Sequence, residues 1–113
     1  MTDFIDIAAL ADIPLGRART FDAGGGRKIA VYRTPHGVFA SDNTCPHRGG
    51  PLGEGDIIGN EIVCPWHLWG FDLVSGECAG IPGMSIVTHE VRVEGERIMV
   101  KLAPVRETTD RLL

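Results

Sequence analysis

Two cysteines and two histidines stand in pairs, Cys45 with His47 and Cys64 with His67, in the pattern C-x-H-x16-C-x2-H. Thiolate and imidazole are the side chains that hold soft and borderline metals, so the pattern points to metal binding before any fold is considered. Two chemistries accept this donor set. A single zinc ion would take all four in a tetrahedron, whereas a binuclear iron-sulfur cluster would divide them between two irons. One residue between Cys45 and His47 is too few for both side chains to converge easily on one ion beside a similar second pair. Zinc sites favour C-x2-C or longer spacing. Two metals suit the spacing better, because each loop can send its thiolate to the inner iron and its imidazole to the outer one, so that the cluster staples loop to loop. Pro46 and Pro65 fix the backbone beside each cysteine, and Gly49, Gly50 and Gly70 are expected to let the chain approach closely enough for amides to point at the sulfurs.

Such loops need a rigid support. Residues 4–8, 18–22, 28–33, 38–41, 56–58, 61–63, 86–93 and 97–102 are short runs rich in Val, Ile and Phe that read as strands. Turn formers separate them, among them Gly24-Gly25-Gly26, Pro35-His36-Gly37, Gly59-Asn60, Ser75-Gly76 and Glu94-Gly95, at intervals that suit consecutive antiparallel hairpins. An all-β barrel or sandwich is therefore expected. Helical periodicity is weak: residues 7–12 allow one turn, and 104–113 a short helix or a frayed tail. Both ligand pairs fall at loop tips held by strands.

The stretch Cys45-Pro-His-Arg-Gly-Gly-Pro-Leu-Gly-Glu-Gly, then Ile62-Val-Cys-Pro-Trp-His-Leu-Trp-Gly-Phe-Asp and Ser75-Gly-Glu, resembles the Rieske 2Fe-2S family. It is most similar to the small soluble ferredoxins that carry electrons to ring-hydroxylating oxygenases, and to the small subunit of assimilatory nitrite reductase. The resemblance is specific over residues 42–83, the cluster-binding part, and looser over the remaining strands. It implies a Rieske-type antiparallel β-barrel or sandwich with a cluster-binding subdomain of two loops, Cys45 and Cys64 on one iron, and His47 and His67 on the other. It also implies that Gly80-Ile-Pro-Gly83 is the proline loop over the cluster's far side. Respiratory members of the family add a disulfide between the loops at positions that are Gly50 and Trp66 here. They also place Ser and Tyr hydroxyls near the cluster where this chain has Trp69 and Phe71. Without those donors, redox titration is expected to give a midpoint toward the low end of the Rieske range of about -150 to +300 mV.

The rest of the chain narrows the function. With 113 residues and 43% hydrophobic content, one domain over residues 1–113 is expected. A net charge of -4 argues against nucleic acid. The absence of a basic leader or an 18-residue apolar run fits a soluble cytoplasmic protein with no membrane partner. Three cysteines, two of them in ligand spacing, argue against a disulfide framework. Cys78 is expected to pack as a small hydrophobe, His36 and His89 to lie on the surface, and Arg48 to be a solvated loop residue. Trp66, Trp69 and Phe71, with Leu68, either shield the cluster or present a docking patch. No nucleophile elbow, phosphate loop or mononuclear iron triad accompanies the motif, so no substrate chemistry is expected on this chain. The reading is a carrier that takes one electron from a flavoprotein reductase and passes it to an oxygenase. The alternative is a bound small subunit of an NAD(P)H-dependent nitrite reductase, which would copurify with a flavin and sirohaem large subunit.

Overall fold

A computed structural model of the protein describes residues 3–46, 49–66 and 69–104. The expectations attached to His47, Arg48, His67 and Leu68, and to the tail beyond residue 104, lie outside those residues. The described strands are β1 (Ile5–Ala9), β2 (Ala18–Asp22), β3 (Lys28–Thr34), β4 (Gly37–Asp42), β5 (Asp56–Ile58), β6 (Glu61–Val63), β7 (Gly70–Asp72), β8 (Thr88–Glu94) and β9 (Arg97–Lys101). All pairings are antiparallel. One sheet runs β1-β9-β8-β4-β3-β2 and a smaller one β5-β6-β7, an all-β architecture of near-barrel form.

β3 explains how the two sheets are joined. Within its sequence, Lys-Ile-Ala-Val-Tyr-Arg-Thr, the middle four residues form a continuous apolar run rather than an alternating one, and Ile29, Ala30, Val31 and Tyr32 are all fully buried. Successive strand residues point to opposite faces, so such a run requires cover on both. Ile29 and Val31 pack with Ile13, Ala40, Ile98 and Val100. Ala30 and Tyr32 pack with Cys45, Leu52, Ile62, Cys64 and Phe71. The strand is thus the shared wall between the large sheet's core and the core of the ligand-bearing lobe. Burying each Ile or Val contributes roughly 1.5–3 kcal/mol, so the lobe is anchored by packing as well as by anything its loops bind. The Tyr32 hydroxyl lies 2.8 Å from Ser41 Oγ, and Ser41 Oγ donates to the Asp42 carbonyl oxygen at 2.8 Å. Burial holds the Tyr32 hydroxyl well above its ordinary pKa.

Differences from the sequence expectation have local causes. β7 is an additional strand, too short and too near Ser75-Gly76 to be recognised alone, and it forms because Phe71 pairs with Ile62. β8 begins at Thr88 rather than at Ile86, whose amide is committed to the Gly76 carbonyl at 2.8 Å. The turn expected within residues 7–12 is a single 3-10 turn, Leu10–Asp12. His36 is exposed, as expected, but His89 is not on the surface. Its ring sits between β4 and the chain leaving β9: Nδ1 accepts from the Ala103 amide at 3.0 Å, so Nε2 carries the proton and donates to Asp42 Oδ1 at 3.0 Å.

Arg27 also reaches Asp42 Oδ1, at 3.1 Å. Burial alone would raise the Asp42 pKa, yet the hydrogen bonds from His89 and Arg27 and the Arg27 charge outweigh it and hold the carboxyl below the ordinary value of 3.8. A depressed folded-state pKa adds stability that is complete above the unfolded value and lost as pH falls through the folded one. Thermal melts of the wild type should therefore weaken below about pH 4 more steeply than melts of Asp42→Asn. Asp42→Ala, which strands the His89 and Arg27 donors, should cost about 1–3 kcal/mol at neutral pH.

Candidate metal centre

The two loops that carry the candidate ligands share one backbone construction. In the first, which follows β4, the Cys45 amide donates to the Gly50 carbonyl at 2.9 Å, five residues on. In the second, the β6–β7 connection, the Cys64 amide donates to the Trp69 carbonyl at 2.8 Å, again five residues on. Each cysteine opens its loop, a proline follows it, and the histidine position lies inside the closed turn. The unequal spacings C-x-H and C-x2-H conceal this equivalence.

Both cysteines point into one apolar cluster, Cys45 1% and Cys64 0% exposed, with Leu52, Ile62, Phe71, Leu73, Cys78 and Ile86 around them. None of the three cysteines forms a disulfide. Gly50 brings the loops together: a Cβ added there would lie 2.9 Å from Cys64 Sγ and 3.1 Å from Trp66 Cγ. The other glycines act differently from expectation. The Gly49 amide is bound to the Cys45 carbonyl at 2.8 Å rather than aimed at sulfur, and Gly70 makes room for Glu61 Oε1, 2.7 Å from where a Cβ would sit. Gly50→Ala should therefore force the loops apart at a cost of about 1–3 kcal/mol, read as lost iron per chain with strand ellipticity intact.

The aromatic residues divide. Phe71 is fully buried and Trp69 packs against the same cluster, whereas Trp66 is 57% exposed at the tip of the second loop. Shielding and an outward apolar face are both present, on different residues. Cys78 is buried in that core, as expected for packing. Residues 77–85 bound a cavity of about 310 Å³ lined in part by Ile81, Pro82 and Met84, and Ile81 and Met84 pack on the cysteine cluster. The expected proline loop thus belongs to the ligand-bearing lobe.

One residue that carries weight here was not singled out by its sequence context. Asn43 Oδ1 accepts from the Gly53 amide at 2.7 Å and from the Thr20 hydroxyl at 3.2 Å, while its carbonyl accepts from the Leu52 amide at 2.9 Å. The available signal was an asparagine at a strand end two residues before a ligand, a place where its side chain competes for backbone amides.

Among the described residues no group of three His, Cys, Asp or Glu side chains converges, since both histidine positions fall outside them. The donor chemistry nonetheless fits an iron-sulfur cluster. Two buried thiols open two equivalent loops that meet at Gly50, in an apolar setting that excludes water.

Comparison with known proteins agrees. The profile of the Rieske 2Fe-2S domain matches residues 3–101. The chain is 34% identical over 102 residues to the ferredoxin component of a naphthalene 1,2-dioxygenase system from Pseudomonas aeruginosa, covering 88% of this chain and 96% of that one. A chain in the complex of reduced oxygenase and oxidized ferredoxin in carbazole 1,9a-dioxygenase superposes with a TM-score of 0.81 at 28% identity, covering 95% of this chain and all of that one. A protein named as an NADH-dependent nitrite reductase small subunit from Mycobacterium tuberculosis superposes at 0.82 over 90% of this chain and 96% of that one, but at 24% identity, which speaks to the fold alone. The paired cysteine loops, the β framework and the match over nearly the whole chain lead to one assignment: the chain belongs to the Rieske 2Fe-2S domain family, and its cofactor is a Rieske-type 2Fe-2S cluster.

Proposed function

We propose that the protein is a Rieske-type ferredoxin in which Cys45 and Cys64 hold one iron and His47 and His67 the other, and that it receives an electron from a flavoprotein reductase and delivers it to an oxygenase. The observation that carries this reading is the likeness, over 96% of its length, to a ferredoxin component of a dioxygenase system. The carrier role requires no catalytic group, and a bound cluster supplies one reversible one-electron step. The chain's own residues bury the two thiols, keep water from them and set the loops that bear the imidazoles. Trp66, exposed beside the Gly50–Cys64 contact, offers a partner an apolar contact at the ligand end of the molecule.

The domain is proposed to span residues 1–113, with its cluster-binding part at 42–83. A cytoplasmic location suits the reduced thiols the ligand set needs. No helix among the described residues is long and apolar enough to cross a membrane. The second reading is a nitrite reductase small subunit, a kind of protein with which this chain shares its fold.

The test is paramagnetic resonance on the dithionite-reduced protein, followed by electron delivery in a reconstituted assay. A rhombic Rieske signal and reduction of an aromatic-ring dioxygenase by the isolated chain are expected. Obligate copurification with a flavin and sirohaem protein would select the second reading, and zinc in a colourless protein would overturn both. His67→Cys should lower the midpoint or abolish assembly, and an unchanged spectrum would remove His67 from the ligand set.

A further inference from the structure

The two ligand loops are supported unequally. The second is closed on both sides by strand ladder, since β6 leads into Cys64 and β7 leaves Trp69 with Val63 paired to Gly70. The first has a strand only on its entry side. β4 ends at Asp42, and the exit is the short 3-10 turn Leu52–Glu54 instead of a strand. An isolated bridge between Thr44 and Pro51 is the only ladder across its neck among the described residues. Other backbone bonds across it are Cys45 amide to Gly50 carbonyl and Leu52 amide to Asn43 carbonyl, both at 2.9 Å, so the exit side is closed by single hydrogen bonds instead of a strand ladder and has a place for a further fastener.

Asn43 is placed to be that fastener. Its amide donates to the Lys28 carbonyl at 3.2 Å, its carbonyl accepts from Leu52, and its side-chain oxygen accepts from Gly53 and Thr20. One residue therefore ties β3, β2 and the loop exit to the point where the loop begins. The Gly53 amide can only donate, which identifies the accepting atom as oxygen and makes the Thr20 hydroxyl a donor to it. The fit is tight: a Cβ on Gly53 would overlap Thr20 Oγ1 and lie 2.9 Å from Asn43 Oδ1.

We propose that Asn43 is a positioning residue that presets the Cys45 loop for cluster binding through its side-chain oxygen, with Gly53 and Thr20 as the other halves of the clamp. This rests on the reading that Cys45 and His47 are ligands. Outer groups that orient metal-binding residues change metal affinity by about 10- to 100-fold when removed. All of the clamp's bonds are made between groups of the chain itself, none of them a side chain of a proposed ligand. It is distinct from the general stability of the sheet, whose core on the other face of β3 contains none of the clamp residues.

The experiment compares cluster loss to a chelator, followed by visible absorbance, together with the paramagnetic signal and melting temperature, in the wild type, Asn43→Ala, Asn43→Asp, Gly53→Ala and the control Val31→Ala. Val31 is fully buried in the opposite core, so its truncation loosens the sheet without touching the loop. Asn43→Ala should lose its cluster about 10- to 100-fold faster than the wild type, with a broadened signal. Val31→Ala should stay within about threefold even where its melting temperature falls further. Asn43→Asp keeps the acceptor and should restore retention, and Gly53→Ala, which leaves Asn43 in place but crowds the clamp, should reproduce the loss. Equal loss rates for Asn43→Ala and Val31→Ala at matched melting temperature, or no rescue by Asp, overturn the proposal. Should Asn43→Ala fail to fold, Gly53→Ala against Val31→Ala decides by the same criterion. A wild-type protein that takes up no 2Fe-2S cluster overturns the ligand reading itself, a result visible before any variant is made.

Discussion

Replacing Cys64 with serine should yield a chain that folds but stays colourless, with electron delivery to an oxygenase reduced by at least about a hundredfold. The size of the effect follows from the position of the thiol. Cys64 is fully buried, its amide is bound to Trp69, and Gly50 stands against its sulfur, so the thiol is held in one place and shielded from water. A serine hydroxyl is a hard donor that ionises far less readily than a thiol, and iron-sulfur clusters are held by thiolate. The fold should survive because serine is slightly smaller than cysteine and the shared core of Ala30, Tyr32, Leu52, Ile62 and Phe71 is untouched. Metal analysis, absorbance and melting temperature measured together separate loss of the cluster from loss of the protein. Retained colour at wild-type iron content would remove Cys64 from the ligand set.

Removing iron from the wild type should release the loops while leaving the large sheet intact. Binding energy at such a site doubles as folding energy for the segments that carry the ligands. Among the described residues, the loops are tied within themselves by single bonds such as Cys45 to Gly50, Gly49 to Cys45 and Cys64 to Trp69, and by the Asn43 clamp. By contrast, β3 is paired along its length with both β2 and β4, and β8 with β9 over five residue pairs. Hydrogen exchange should accelerate by about a hundredfold at the Cys45, Gly49 and Cys64 amides and by little at β3, β8 and β9. The Ala30 and Tyr32 backbone should respond last within the lobe, because β3 is hydrogen-bonded to β2 on one side and to β4 on the other, whatever the loops do. Equal protection throughout, with and without iron, would contradict this division.

The two outcomes depend on features of different legibility. The Cys64 prediction could be written from C-x-H-x16-C-x2-H alone, since donor type and spacing within a few residues already restrict the metal chemistry. The loop-release prediction follows in outline from the same pattern, since loops that carry the ligands lose their fastening with the metal; which strands hold came from β3 being covered on both faces, which its continuous apolar run permitted but did not assign to particular partners. Trp66 and Trp69 illustrate the same limit. Three positions apart on a loop without regular period, they gave no sign of which would pack and which would face outward, and the packing of Trp69 against the cysteine cluster decided it.

By itself the sequence singled out the candidate donors and determined the all-β class and the strand positions to within about two residues, because ligand spacing, β-branched runs and glycine turns are properties of short segments. The tertiary structure alone decided that His89 is buried and not on the surface, that β7 exists, and that Asn43 closes the first ligand loop. Each of these depends on a partner brought near by strand pairing: Asp42 and His89 meet across 47 residues of chain, and Asn43 and Thr20 across 23. A hydrogen bond over such a separation leaves no periodic trace, since the residues between its ends are selected for other contacts.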